Sequence, residues 1–381
     1  MRLEQDRSRA RSYSRLKDRL ALLGMALSLL APALFVFRGG ARQINERLLP
    51  GPRPSLRQRL TYSIVLSAAG WLASLPFSFF NDHIVERRYD LSNQPAIGWW
   101  IDALKAKAIS APLELGVIEG AYAAIGRWPA RWWLVCSAAV VPLSALLAQL
   151  FPVLIAPRFN RYEPLRDRQL AKRLQQLAAD AGVPIADVLQ MDLSRRTSKA
   201  NAFFAGLGHT RRIVLADTLL DKFTPDEIEG IVAHELAHQL NGDIWRFIAL
   251  SGAFTLATTV FVDRVARGLL RAMPSLTGTN DLANRRSLPV LALVTALAGV
   301  ALTPLQLAYS RHIERVADRH AMRLTNNPSA YANAMRRLAT TNLADSNPPT
   351  PVVLLLHSHP PLAERIEAAE NIAYQQMFGT T

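Results

Sequence analysis

This sequence is short of cysteine and of charge, and both shortages exclude classes of protein. Its 381 residues include a single cysteine, Cys136, so a framework of internal disulfides is excluded. Charged residues make up only 19% of the chain and hydrophobic residues 50%, whereas a soluble domain has roughly 25% charged residues. Intrinsic disorder is excluded, because disordered chains are poor in apolar residues. These features predict an integral membrane protein with a substantial polar domain.

Long runs without charge indicate where the chain crosses the membrane, since a spanning helix needs about 20 apolar residues. The clearest runs are bracketed by arginines, and a shorter run and a run interrupted by Glu114 and Glu119 complete the set. The predicted spans are 20–37, 60–81, 108–126, 132–157, 247–262 and 287–310. A cleaved signal peptide is the alternative for 20–37. The residues that follow, Arg38 to Arg42, lack a small-residue cleavage site, which favours a retained helix. We therefore expect about six transmembrane helices.

The net charge of +14 is explained by arginines at the membrane boundaries, which set orientation and contact anionic lipid. No nucleic-acid-binding module accompanies them, so we expect a lipid bilayer and no nucleic acid as partners. The N-terminus and the segment after residue 157 fall on one side of the membrane, and both are rich in arginine. We expect that side to be the cytoplasmic face of a cell or inner membrane, although the opposite loop 38–59 is also basic.

The polar half of the chain divides into two segments on either side of a two-span hairpin. Residues 158–246 are expected to form an α+β domain, with a leucine-rich helix ending near Gly182 and short strands at 185–191, 201–207 and 212–216. In 311–381 we expect three helices, running to about residue 326, over 331–343 and over 362–376, with a loop at 347–351. The fold class predicted is mainly α, a polytopic membrane protein with an inserted α+β domain. The expected division is 1–157, 158–246, 247–310 and 311–381.

One helix of the polar domain is clearly marked at both ends. Thr224 is a suitable N-cap, Pro225 suits the first helical position, and Glu227 completes a capping box. Asn241 and Gly242 are a natural C-terminal stop.

This helix carries the sequence His234-Glu235-Leu236-Ala237-His238. His234 and His238 are one turn apart, so both imidazoles project from one face and can share a metal. Two histidines, a carboxylate and a water form a catalytic zinc site, and Glu235 can accept a proton from that water as it attacks a peptide carbonyl. The pattern also arises by accident in unrelated proteins. Its place on a capped helix beside a membrane span favours the zinc interpretation, with one Zn²⁺ per chain.

A third ligand must come from elsewhere in the chain. The hairpin 247–310 returns the chain to the side of His234, where Glu314 and Asp318 lie one helical turn apart. Glu314 can coordinate zinc, while Asp318 can orient an imidazole from behind it. His312 and His320 on the same segment are rival ligands; an oxygen with two nitrogens favours Glu314.

Several further motifs stand in a fixed order around these residues. They are Leu75–Phe80 with Ile84–Tyr89, Ile155–Phe159, Asn201–Gly206 with Arg212–Leu220, Ser310–Asp318, and Ser358–Leu362 with Arg365. In these motifs the chain resembles the type I integral-membrane CAAX prenyl protease family of zinc metallopeptidases, which is related to the bacterial heat-shock membrane protease.

The resemblance implies residue roles beyond those read from spacing. His234, His238 and Glu314 would bind zinc and Glu235 would activate water, while Asn201 and His359 would hold substrate or stabilise the oxyanion. The strand after Asn201 would receive an extended substrate at its edge. The chain departs from the family pattern in having six expected spans where seven are usual, Lys199-Ala200 where His-Ser is common, and Ala237 in place of glycine.

We therefore expect a membrane-embedded zinc metalloendopeptidase whose substrate is a peptide or protein, with lipidated and membrane-bound substrates among the candidates. Its task would be CAAX-type processing or the turnover of damaged membrane proteins. The alternative is an inactive membrane scaffold or transporter with structural histidines. Glu235 separates the two, because a scaffold has no need of a base beside the metal.

Overall fold

A computed structural model describes residues 2–51, 54–206 and 210–378 of the chain. The α-helices in these ranges are α1 Arg2–Phe37, α2 Gly40–Leu48, α3 Leu56–Phe79, α4 Val85–Arg88, α5 Ala96–Arg127, α6 Trp132–Leu150, α7 Arg168–Asp180, α8 Asp217–Leu220, α9 Pro225–Leu240, α10 Asp243–Ala272, α11 Leu288–Thr325, α12 Pro328–Thr341, α13 Thr350–Leu356 and α14 Leu362–Phe378. The predicted fold class, a mainly helical membrane protein with a small α+β domain, is confirmed.

Five helical segments in the described ranges are long and apolar enough to cross a membrane. They are Ser8–Phe37, Leu56–Arg88, Ala96–Arg127, Asp243–Ala272 and Arg285–Thr325. The remaining predicted span lies in α6, which is shorter at 19 residues and about 28 Å. A π-helical turn, Phe151–Ile155, extends α6 toward the thickness of the bilayer core.

The span predicted at 108–126 lies within α5, the least apolar of these five segments. Its two carboxylates are paired: Glu114 Oε2 lies 2.7 Å from Lys107 Nζ, and Glu119 forms an ion pair with the buried Arg285. Pairing reduces the cost of holding charge at membrane depth, which explains how a weakly apolar sequence is accommodated.

The polar domain contains a four-stranded sheet. Its strands are β1 Tyr162–Pro164, β2 Asp187–Met191, β3 Ala202–Ala205 and β4 Arg212–Ala216, in the order β1-β2-β4-β3. Strands β2 and β4 are parallel and the other pairs antiparallel. The three predicted strands are present: β4 has the predicted bounds, whereas β2 and β3 are shorter than predicted. Leu207, the predicted end of β3, lies outside the described residues. Strand β1 was not predicted because three residues ending in proline carry no periodic signal.

One hydrophobic core unites residues from both polar segments of the sequence. It contains Leu174 of α7, Leu215 of β4, Leu236 of α9, Tyr331 of α12 and Ala369 of α14, all almost completely buried.

The prediction of a loop at 347–351 was wrong in part, because α13 begins at Thr350 with Pro351 in its first turn, where proline is tolerated. The four-part division of the chain stays a prediction.

Two helices bring the candidate site together. Helix α9 begins at the predicted capping box, in which Thr224 Oγ1 accepts from Glu227 N at 3.3 Å and Glu227 Oε2 accepts from Thr224 N at 2.8 Å. It ends before Gly242, whose φ of 65° suits glycine. Helix α11 runs for 38 residues, about 57 Å, and packs along α9. One continuous helix therefore extends from the membrane region to α9 and places Glu314 against it.

Candidate metal centre

Three side chains from the two helices α9 and α11 converge. Single ligand atoms of His234, His238 and Glu314 all lie within 4.8 Å of one another. The two Nε2 atoms are 3.2 Å apart, and Glu314 places Oε2 3.1 Å from Nε2 of His234 and Oε1 3.5 Å from Nε2 of His238. The structure thus brings together the two histidines and the carboxylate that the sequence suggested, while the rival His312 is exposed on α11.

A carboxylate stands behind each imidazole. Oδ1 of Asp318 lies 2.9 Å from Nδ1 of His234, and Oδ2 of Asp243 lies 2.8 Å from Nδ1 of His238. Such partners fix the imidazole tautomer and direct the lone pair of Nε2 toward a shared centre. The role expected for Asp318 in orienting His234 stays a prediction.

Asp318 is itself held by two buried groups. Arg365 donates to both carboxylate oxygens, at 2.9 Å and 2.7 Å, and the Tyr331 hydroxyl donates at 2.5 Å. Burial lowers the pKa of His234, but the carboxylates of Asp318 and Glu314 outweigh it and raise the pKa to about 9. A cation that binds here must displace this proton.

The donor set fits a metal ion of the zinc type. Oε2 of Glu314 is buried without a hydrogen-bond partner among the described residues, and two Nε2 atoms face one another. Two imidazole nitrogens and a carboxylate oxygen form the ligand set of a catalytic zinc with an open position. A cation at the common point of the three groups would satisfy all of them.

Glu235 lies beside this group on α9. Burial raises the pKa of its carboxyl, the nearby His234 and His238 oppose that shift, and Glu314 adds to it. A carboxylate whose pKa is moved toward neutrality is better suited to accept and return a proton.

The remaining two predicted residues lie outside α9 and α11. His359 follows α13, and its Nε2 is 3.4 Å from Oε2 of Glu314. Asn201 stands just before β3 with an exposed side chain, and its carbonyl accepts from Ala216 N at 3.0 Å. Strand β3, which Asn201 immediately precedes, packs against α9, the helix that carries the two histidines.

Three residues of this arrangement were not assigned from the sequence. Tyr331 and Arg365 are separated from Asp318 by long stretches of chain, and no local pattern links them. Asp243 carried a usable signal, because it follows Gly242 in the first turn of the helix directly after the second histidine.

Removal of Asp243 gives a direct test of its role. We expect Asp243→Ala to weaken metal binding by about 10- to 100-fold, because His238 loses the group that fixes its tautomer. Titration against a chromophoric chelator measures the affinity. The matched control is Asp226→Ala. Asp226 lies on α9, as His238 does, and its exposed carboxylate pairs with Arg173 of α7. Equal affinities of wild type and Asp243→Ala would refute the role.

Models of two protein families together match nearly the whole chain. Residues 164–373 match the model of peptidase family M48, and residues 3–161 match the model described as CAAX prenyl protease N-terminal, five membrane helices. The chain is 31% identical over 95% of its length to an uncharacterized metalloprotease, YhfN, of Bacillus subtilis, and covers 84% of that protein.

Two further similarities extend over nearly the whole chain. CAAX prenyl protease 1 of Saccharomyces cerevisiae is 26% identical, with 96% of this chain and 86% of the yeast protein covered. The crystal structure of S. mikatae Ste24p superposes with a TM-score of 0.85 at 24% identity, over 96% of this chain and 89% of that one. The structural match shows that the two chains share a fold.

Proposed function

This chain belongs to peptidase family M48 and is a multi-pass membrane metalloprotease, and from that premise we propose that its metal is zinc, one ion per chain. The ligands we propose are His234, His238 and Glu314. The observation that carries the proposal is the convergence of their ligand atoms within 4.8 Å, with a carboxylate behind each imidazole. The scaffold alternative is not favoured, because the chain has both the ligand set and a base beside it.

We propose that Glu235 is the general base and then the general acid. When bound, zinc lowers the pKa of a water molecule and polarises the substrate carbonyl. Glu235 takes a proton from the water as its oxygen attacks the carbonyl carbon, and it delivers that proton to the nitrogen as the C–N bond breaks. Asp318 and Asp243 keep the two imidazoles in place throughout.

We assign His359 and Asn201 to the substrate. Nε2 of His359 lies 3.4 Å from Oε2 of Glu314, so its ring is close enough to the centre to donate to the carbonyl oxygen as that oxygen gains negative charge. Asn201 introduces β3, which lies at the edge of the sheet. An extended peptide that adds to this edge would be held alongside α9, because edge strands present unpaired backbone groups.

The substrate is a peptide or protein, and we propose two classes for the physiological one: a lipidated C-terminal peptide or a membrane protein marked for removal. The match over the N-terminal membrane region and the likeness to CAAX prenyl protease 1 support the first class. Hydrolysis of a farnesylated peptide faster than the same peptide without lipid would favour it. Equal hydrolysis of both would favour the second class.

We also propose that the peptidase domain lies on the cytoplasmic side of the membrane. The chain has one cysteine, so Cys136→Ser gives a background free of thiols. A cysteine then introduced by Lys172→Cys, on the exposed face of α7, should react with an impermeant maleimide only in opened cells. Labelling of intact cells would place the domain on the outer side.

The proposed activity is tested with purified protein. We expect about one zinc per chain by elemental analysis, hydrolysis of casein, loss of hydrolysis on chelation and recovery when zinc is restored. A protein that holds its zinc and cleaves neither casein nor the two peptides would instead support the scaffold.

A further inference from the structure

The segment that leads into β3 is held by the membrane region as well as by the peptidase domain. Ser92, in the loop after α4, forms an antiparallel bridge with Thr197. The carbonyl of Leu91 in the same loop accepts from Ser198 N at 3.0 Å and from Thr197 Oγ1 at 2.6 Å. A short piece of backbone between two membrane helices therefore pairs with the residues just before the substrate edge.

Lys199 makes the charged part of this connection. Its Nζ lies 2.7 Å from Oε2 of Glu86 in α4 and donates to the Tyr13 hydroxyl of α1 at 2.9 Å. Tyr13 in turn donates to Oε1 of Glu86 at 2.6 Å, and Nζ of Lys17 lies 3.0 Å from the same oxygen. Glu86 is only 8% exposed, so its charge depends on these partners.

Glu86 occupies a distinctive place in the membrane region. It follows a π-helical turn, Phe80–Ile84, which ends the long helix α3. Its backbone carbonyl accepts from Leu91 N at 2.8 Å and from Ser92 N at 3.3 Å, which shapes the loop that pairs with Thr197. The side chain of Glu86 thus contacts Lys199 directly, and its main chain holds the loop that pairs with the residues just before Lys199.

The backbone between Lys199 and β3 has little freedom to absorb a change. The amide of Ala200 donates to Oδ1 of Asn342 at 2.9 Å, and the carbonyl of Lys199 accepts from Thr218 Oγ1 at 2.7 Å. The carbonyl of Asn201 is bonded to Ala216 N of β4. These bonds connect the position of the Lys199 backbone to Asn201 and to the start of the edge strand.

We propose that Lys199 is a positioning residue, whose ion pair with Glu86 anchors the beginning of β3 to the membrane helices and so sets how well an extended substrate binds. This inference rests on the proposed function, because it takes β3 as the substrate edge. Substrates that extend along β3 should depend on the anchor more than short ones, whereas a residue that merely stabilises the fold would affect both equally.

The test compares full-length Lys199→Met and Lys199→Arg with wild type on a long peptide and on a truncated form that keeps the scissile bond. For Lys199→Met we expect KM for the long peptide to rise about tenfold, with zinc content unchanged and a much smaller rise for the truncated form. Amide exchange in β3 should become faster. Lys199→Arg keeps the positive charge and should restore the wild-type values, while Lys172→Met on the exposed face of α7 is the matched control.

Several outcomes would overturn the proposal. They are an unchanged KM for the long peptide, unchanged exchange in β3, or equal losses on both peptides together with lost zinc. Wild type that cleaves neither peptide would refute the proposed function instead. The rate of amide exchange in β3, measured in the Lys199→Met variant, would then test the anchoring role of Lys199 independently of catalysis. An unchanged rate would refute that role as well.

Discussion

Replacement of Glu235 by glutamine is expected to lower kcat for peptide hydrolysis by a factor of about 100 to 10,000, with the zinc content of the wild type retained. The amide has nearly the shape of the carboxylate but cannot take a proton from water. Glu235 is not one of the proposed zinc ligands, which are His234, His238 and Glu314, so the substitution should leave zinc binding unchanged. Elemental analysis and steady-state kinetics on the same preparation measure the two quantities separately.

Glu229→Gln provides the matched control for this variant. Glu229 lies on the same helix α9, is largely buried and pairs with Arg173, away from the histidines. We expect its kcat to stay near that of the wild type. Undiminished hydrolysis by Glu235→Gln would remove Glu235 from the mechanism, and loss of zinc in that variant would assign it a structural role.

Replacement of Glu314 by alanine is expected to weaken zinc binding by more than the roughly 10- to 100-fold typical of losing a residue that only orients a ligand. Two imidazoles alone leave zinc under-coordinated, so the ion should be lost on dialysis and hydrolysis with it. Zinc stoichiometry after dialysis is the measurement. Thermal unfolding of the same sample shows whether the protein remains folded.

The rival histidines on α11 supply the controls. His312 is exposed and His320 half-buried, so alanine at either position should leave the zinc stoichiometry unchanged. Glu314→Gln keeps the volume of the side chain and guards against an effect of the cavity alone. Full stoichiometry in Glu314→Ala with loss in His312→Ala or His320→Ala would transfer the third-ligand role to that histidine.

Local features of the sequence were sufficient for much of the fold. Spanning helices are set by the length of apolar runs, so each predicted span lies within a continuous helical segment, in which π- or 3-10-helical turns extend α3, α6 and α11. Helix α9 is determined by its capping box and its C-terminal glycine, and its period places His234 and His238 on one face. These properties depend on neighbouring residues, which a single sequence displays directly.

The sequence by itself determined the metal-binding helix, the number of apolar runs and the identity of the residues suited to zinc. Only the tertiary structure decided that Glu314 and not His312 faces the histidines, that Asp243 and Asp318 each support one imidazole, and that Lys199 reaches Glu86. Lys199 and Glu86 are far apart in the chain, and the partners of a charged group at such a distance follow from how helices pack. The helical periodicity of the sequence specifies which residues share one face of a helix. The packing of the helices specifies which of these faces are in contact.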